Sequence, residues 1–494
     1  MSWKETAEPV LTRMPAVKRP TGHVPFRRKI GWTAGVLVLY FFLTNVFLYG
    51  LQSGGAGGDA FGQFRTILAG GQGTVLTLGI GPIVTASIVL QLLGGADLLG
   101  LDTSNPRDQV LYQGLQKLLV VVMICLTGLP MVFAGGFLPP SSQVAAQLGI
   151  GLNGVRWLMF AQIFVGGLLI LFMDEVISKW GVGSGIGLFI IAGISQRLIG
   201  GLFGWTSLTG FRGFFPSWIA ILTGQAEMSP ILSIDGVIDL LLGPGQLLAM
   251  ATTLAIFGIV VYAESVRVEI PLSHSRVKGA RGRFPVKLIY ASVLPMILVR
   301  ALQANIQFLG RILYNQWQGM PAWLGEYSTA GGIAEPIGGL FYYLAPIYSP
   351  ADWMWFAAGT TAEPWQIMIR VGIDLLFMVV GGAVFAIFWV ETTGMGPDAT
   401  AKQIQNSGMQ IPGFRQSPGV IEKVLERYIP QVTVIGGALV GVLAVGANML
   451  GTVGQVSGTG LLLTVSITYK LYEEIAEEQL MDMHPMMRQM FGGN

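Results

Sequence analysis

Charge is what this sequence lacks most. Of its 494 residues only 11% are Asp, Glu, Lys or Arg, while 52% are hydrophobic. A soluble domain carries roughly a quarter charged residues, so the composition excludes an ordinary soluble protein and indicates an integral membrane protein. Cysteine is nearly absent as well. The one copy, Cys125, lies inside an apolar run and can form no intrachain disulfide. Histidine occurs only at His23, His274 and His484, each in a segment read as cytoplasmic. No apolar run holds a His/Cys cluster, an HExxH or a serine with a histidine in reach, so neither metal chemistry nor an intramembrane protease has support. No catalytic residue, metal or cofactor is expected. "GVGSGIG" (Gly181–Gly187) has the look of a phosphate loop but lacks the following Lys-Ser/Thr and the preceding strand. Small residues at helix contacts explain it better.

Long apolar runs are what the chain does have. They measure about 20 residues each, the length of a transmembrane helix, so a helical bundle is expected and a β-barrel is not. Ten spans are predicted, near residues 31–50, 74–93, 115–137, 155–173, 183–200, 246–263, 288–309, 367–390, 430–449 and 455–472. The basic stretch with Lys18, Arg19, Arg27, Arg28 and Lys29 precedes the first span, which has no small-residue cleavage site and reads as a retained helix. With the N-terminus inside, only Arg65, Arg156, Arg197, Arg212, Arg300, Arg311 and Arg370 of the 29 Lys and Arg residues fall outside. That bias supports an even number of spans and two cytoplasmic termini in a cell-membrane protein.

Two cytoplasmic loops, Glu264–Lys287 and Glu391–Arg427, are basic, punctuated by Gly and Pro, and too polar to enter lipid. By themselves they are topology-setting charge. The outer connections near 201–245 and 310–365 hold Trp317, Trp323, Tyr342, Tyr343 and Trp353, which read as interface aromatics. Asp374 follows Arg370 by four residues, a spacing that predicts a local helix salt bridge.

One stretch resists this simple reading. "GQGTVLTLGIGPIVTASIVLQLLGG" (Gly71–Gly95) is long enough to span, yet Gly79, Gly81 and Pro82 break it, and Thr85, Ser87 and Gln91 are polar. Before it, Asp59–Leu68 is too short to cross, carries Arg65 and lies between glycine-rich hinges. Broken backbone at membrane depth is tolerable only where protein or water covers it. A half-length stub must fold back onto the surface or into a cavity. Scattered Thr and Ser alone are ordinary helix–helix glue. The residues therefore leave a channel and a polytopic secondary transporter both open, although the spans offer a transporter few polar substrate ligands.

Several motifs go further. "LTLGIGPIVTASIVLQLL", "DEVISKWGVGSGIGLFIIAGIS", "VYAESVRVEIPLSHSRVKGARGRFPVKLIYASVLPMI", "IFWVETTGMGPDATAKQI" with "GMQIPGFR", and "GTGLLLTVSITYKLYEEI" closely resemble the SecY family, in order and over nearly the whole chain. The archaeal form is the nearest match. The resemblance implies an all-α membrane protein of ten transmembrane helices, in two inverted five-helix halves (1–200 and 201–494) with a re-entrant plug helix. It implies the central pore-forming subunit of a protein-conducting channel. The plug would include Ala60, Phe61, Phe64, Arg65 and Ile67, and the pore ring Ile80, Val84, Ile186, Ile190, Ile297 and Leu463. Thr85, Gln91 and Asn305 would tune the lateral gate, where signal sequences and nascent chains leave for the lipid bilayer. Arg276, Lys278, Arg281 and Arg415 would meet ribosomal RNA near the ribosome's exit tunnel. A SecE-type subunit and a SecG/β-type small subunit are the implied partners. The sequence carries no nucleotide-binding motif, so a partner such as the translating ribosome would drive the chain's movement.

Overall fold

A computed structural model of the chain describes residues 8–483, except 10, 23, 53–67, 72, 96–99, 101–104, 134–136, 206–212, 226–228, 231–232, 275–280, 288–293, 318, 329–333, 359–361, 407–408 and 411–417. Among the described residues ten helices have at least 15 residues. They are α1 (Phe26–Thr44), α2 (Gly81–Gly95), α3 (Pro106–Phe133), α4 (Gly151–Trp180), α5 (Gly185–Phe203), α6 (Leu247–Ser265), α7 (Leu294–Gln316), α8 (Pro364–Thr392), α9 (Pro418–Leu450) and α10 (Gly458–Met483).

Six of these, α3, α4, α5, α6, α8 and α9, are long and apolar enough to cross a membrane. The others fall short for readable reasons. α2 is apolar but brief. α1 opens on Arg27, Arg28 and Lys29, α7 carries Arg300, Gln303, Asn305, Gln307 and Arg311, and α10 ends in glutamates. Several helices also outrun their predicted spans. α9 starts at Pro418 and α10 reaches Met483, because a helix satisfies its own backbone and can continue beyond its apolar stretch. α8 begins where a cap would place it, at Pro364 behind a reciprocal Glu363/Gln366 capping box.

The second span is the exception. Helix begins only at Gly81, and residues 75–80 form turns. This segment threads into the bundle and finds its hydrogen bonds there. Ile80 N donates to Leu68 O at 2.8 Å, Val75 N to Val46 O at 2.9 Å, and Leu48 N to Gly73 O at 2.8 Å. Two glycines permit the approach. Gly79 has φ +55°, and a Cβ there would lie 2.1 Å from Leu68 O. A Cβ on Gly166 of α4 would lie 2.0 Å from Val75 O.

The helices form two sets. α1–α5 pack among themselves, as do α6–α10, and the sets meet where α5 touches α10 and where α2 touches α7 and α8. One apolar core runs through both. "GVGSGIG" lies at such a meeting point: a Cβ on Gly187 would come within 2.9 Å of Ile467 in α10, as its reading as a helix contact expects.

Among the described residues strands occur only in the loops. β1 (Arg267–His274) and β2 (Arg281–Lys287) form an antiparallel hairpin, with Ile270 opposite Phe284. In the connection between α7 and α8, β3 (Glu326–Ser328) pairs with β4 (Glu335–Gly338). β5 (Met409–Gln410), from the second basic loop, pairs with Ser273 and His274 of β1. The two basic loops, read separately in the sequence, therefore share a three-stranded sheet. The second loop also has its own small core, in which Ala401 and Ile404 pack with Val390, Ile421 and Leu425. The aromatics of the connection between α7 and α8 differ among themselves. Trp317 and Trp323 are exposed, whereas Tyr342 is buried and Trp353 Nε1 donates to Met449 O at 2.8 Å.

Gly166→Val should destabilise the fold by about 1–3 kcal/mol, since neither α4 nor Val75 can move apart without breaking the segment's hydrogen bonds. Gly258→Ala, where nothing lies within 4 Å, should be neutral. Thermal melts of the detergent-solubilised variants, followed by size-exclusion chromatography, measure both, and equal midpoints would contradict the close approach.

Candidate pore and gate

Six aliphatic side chains named from the sequence come from four places. Ile80 and Val84 flank the start of α2, Ile186 and Ile190 lie on α5, Ile297 on α7 and Leu463 on α10. Each pair is spaced i,i+4 and so shares a helix face or its extension. All belong to the core common to both helix sets. Ile80, Ile190 and Leu463 have no exposed surface, Ile297 and Val84 almost none, and Ile186 is half-buried against the same core. The backbone N–H of Ile186 is held by Asp174 of α4, whose Oδ1 accepts it at 3.0 Å. Asp174 opens the motif "DEVISKWGVGSGIGLFIIAGIS" but is given no role from the sequence; it caps the following helix in space rather than in sequence.

Beside these residues α2 meets α7 at a seam. Asn305 Nδ2 donates to Thr85 Oγ1 at 3.3 Å, and Thr85 Oγ1 donates to Gly81 O at 2.9 Å. A cavity of about 60 Å³ opens here, lined by Leu68, Gly81, Pro82, Thr85, Ala304 and Asn305 among others. Gln91 does not join the pair. It is buried on α2, and its Oε1 makes no hydrogen bond among the described residues. Ser87, polar in the sequence but given no role, accepts from Gln116 Nε2 of α3 at 3.3 Å.

The plug residues Ala60, Phe61, Phe64, Arg65 and Ile67 lie outside the described residues. Their C-terminal root lies within them. Ala69 is buried with φ 54°, and Tyr40 Oη of α1 donates to its carbonyl at 2.9 Å. Arg276, Lys278 and Arg415 also lie outside the described residues, while Arg281 opens β2 with its backbone opposite Ser273.

The expected Arg370–Asp374 bridge is not formed. Asp374 pairs with Arg300 of α7, at 2.9 Å with both side chains fully buried. Arg370 turns instead to the carbonyls of Ala345 and Pro346, at 3.1 and 2.9 Å. Helical spacing made the local pair available, but burial decided the partner: a carboxylate inside the bundle needs a cation that is also inside. Nearby, outside the helices, burial pushes the Tyr348 phenol up to about 12, so it stays protonated and neutral at ordinary pH.

Fold and site define a multi-pass helical membrane protein whose two helix sets meet at an aliphatic junction beside a polar seam. The chain belongs to the SecY family: the SecY model matches residues 74–472, and the model for the plug domain of Sec61p matches residues 38–73. The protein translocase subunit SecY of Haloferax volcanii is 76% identical over 493 residues, covering 100% of both chains. A solved structure of a protein conducting channel superposes with TM-score 0.77 at 38% identity, over 97% of this chain and 98% of that one. Sec61 in a canine ribosome-channel complex from the endoplasmic reticulum superposes with TM-score 0.74, also at 38% identity and over the same shares.

Tyr40→Phe should cost about 1 kcal/mol locally through the unpaired Ala69 carbonyl. Hydrogen exchange of the amides at 68–71 should quicken by roughly five-fold while α3 and α4 stay protected. Unchanged exchange would mean that the root is held by packing alone.

Proposed function

We propose that this chain forms the pore through which secretory polypeptides cross the membrane, and the lateral gate through which hydrophobic segments enter lipid. The observation that carries the reading is the broken segment at 68–80, which places Ile80 and Val84 where the two helix sets meet. An aliphatic neck opposes ion flow by dewetting, and its side chains can still yield around a peptide. The burial of Ile80, Val84, Ile190, Ile297 and Leu463 fits a closed neck. The plug, matched as a plug domain at 38–73, supplies the second barrier. A secondary transporter is not supported, because the junction offers aliphatic side chains where substrate ligands would be needed.

The two halves, 1–200 and 201–494, act as leaves hinged around the neck, with a SecE-type subunit clasping them and a SecG/β-type subunit at the side. The gate runs between α2 and α7. Its Asn305–Thr85 bond is worth on the order of 0.6 kcal/mol in a membrane, weak enough for a signal helix to displace. Both termini are cytoplasmic, in keeping with the charge bias. The sheet that joins the two basic loops supports a single docking surface for the ribosome, with Arg276, Lys278, Arg281 and Arg415 on it. The structure of canine Sec61 in a ribosome-channel complex favours the same partner. No catalysis is assigned to the chain.

The neck is tested by conductance in planar bilayers. Deleting Ala60–Leu68, or replacing Ile80, Ile186 and Ile297 together by Ser, should raise resting ion leak, and the two changes combined should raise it further, since wetting the neck removes its dehydration barrier. Variants as tight as the parent would remove these residues from the pore.

Docking has a separate test. Replacing Arg276, Lys278 and Arg415 by Glu should weaken ribosome binding and flatten its salt dependence by about two to three in log–log slope, about 0.7–0.9 for each phosphate no longer neutralised. An unchanged salt titration would leave the loops as topological charge only.

A further inference from the structure

α7 is polar on the side away from the seam, and there it is bound far more firmly than at the seam itself. Arg300 Nη1 donates to Asp374 Oδ1 of α8 at 2.9 Å and to Gln303 Oε1 at 2.7 Å. Gln303 Nε2 donates to the same Asp374 oxygen at 2.9 Å and to Leu344 O at 3.3 Å. One turn further on, Gln307 Nε2 donates to Phe341 O at 3.0 Å. From α8, Asp374 Oδ2 accepts from Ile347 N at 3.3 Å, and the Arg370 guanidinium, bonded to the Ala345 and Pro346 carbonyls, lies 5.1 Å over the Tyr342 ring. The outer segment 341–347 is thus stitched to both helices. α8 also approaches closely through Gly381, where a Cβ would sit 2.9 Å from Val299 Cγ1.

Across the seam, by contrast, the polar tie among the described residues is the Asn305–Thr85 bond at 3.3 Å. A buried ion pair that parts leaves two uncompensated charges in low dielectric, so it does not open and close with each passing segment. An amide–hydroxyl bond can. We propose that Arg300, Gln303 and Asp374 are positioning residues that make α7, α8 and segment 341–347 one unit, so that the gate yields only between α2 and that unit. Ile297, one turn before Arg300, and Asn305, just over one turn after it, then keep their register towards α2. The proposal rests on the gate reading above.

The test uses the full chain with Cys125→Ala, in membranes that depend on it for export, and a series of signal sequences of graded hydrophobicity. Arg300→Met with Asp374→Leu replaces the pair by apolar side chains of similar volume, an exchange that buried pairs often tolerate. The variant should accumulate normally, yet export signals too weak for the parent, by on the order of five-fold or more. Adding Val299→Cys and Gly381→Cys supplies the missing tie covalently. The Cβ placed at 381 lies 3.7 Å from Val299 Cβ, within disulfide range. Oxidation should return the signal threshold to the parent value, and reduction should lower it again. A threshold unchanged in the double variant overturns the proposal, as does a lowered threshold that the disulfide leaves lowered. Should the double variant fail to accumulate, the 299–381 disulfide in the otherwise intact chain decides: export continues if α7 and α8 move together, and a block refutes it. A short thiol cross-link between Thr85→Cys and Asn305→Cys separates the two readings. If it leaves export intact the gate reading fails; if it blocks export, and the 299–381 bond does too, only the clamp fails.

Discussion

Backbone polarity inside a membrane is the constraint on which the structure turns. Residues 68–71 and 73–80 are not helical, yet the segment leads directly into a helix of the bundle, where no water competes for N–H and C=O groups. The chain meets that requirement by bringing partners to the segment. Leu68 and Ile80 bond to one another, the loop after α1 supplies Val46 and Leu48, and Tyr40 reaches across from α1 to Ala69. Gly166 opens a groove in α4 for the carbonyl of Val75. If these are removed, Ile80 no longer stands at the junction of the two helix sets, and α2 has no fixed starting point.

From that anchoring follows a division between contacts that hold and contacts that yield. The proposed neck is aliphatic, so its closure would rest on packing and the exclusion of water, with no directional bond to break. The seam beside it adds one long hydrogen bond. Behind the seam, the Arg300–Asp374 pair and the glutamines of α7 bind a helix face that must not drift. A channel that opens sideways needs both kinds of contact on one helix, and α7 is accordingly among the least apolar of the ten.

The face that carries the two basic loops shows a similar economy of parts. The hairpin β1–β2 receives β5 from the second loop, while Glu473 of α10 pairs with Arg267 and Lys287 at the hairpin's base. Lys29 of α1 pairs with Glu478, 2.5 Å away. These pairs are half-exposed, so they contribute little stability. What they fix is direction. The helix that carries Leu463 is tied at its C-terminal end to the base of the proposed docking surface and to the first helix of the other set.

Much of this is legible in the residues. Apolar length and scarce charge determine the helical membrane class, because a lipid environment leaves few alternatives. The glycines and proline at 79–82 mark a break where the structure has one, and i,i+4 spacing places Ile80 with Val84 and Ile186 with Ile190 on common faces. The ends of α9 and α10 escape it, since hydropathy registers lipid contact and not helix length. Sequence spacing pairs Asp374 with Arg370 because it sees only neighbours on one helix; Arg300, 74 residues away, becomes a partner only when α7 packs on α8. Gln91 shares the polarity of Thr85 but not its position opposite Asn305. The sequence alone thus determined which segments enter the membrane, through a periodicity and hydropathy that each segment carries by itself. Which polar groups find one another inside it was decided by the tertiary structure alone, because a buried charge takes the partner that packing brings within hydrogen-bonding distance.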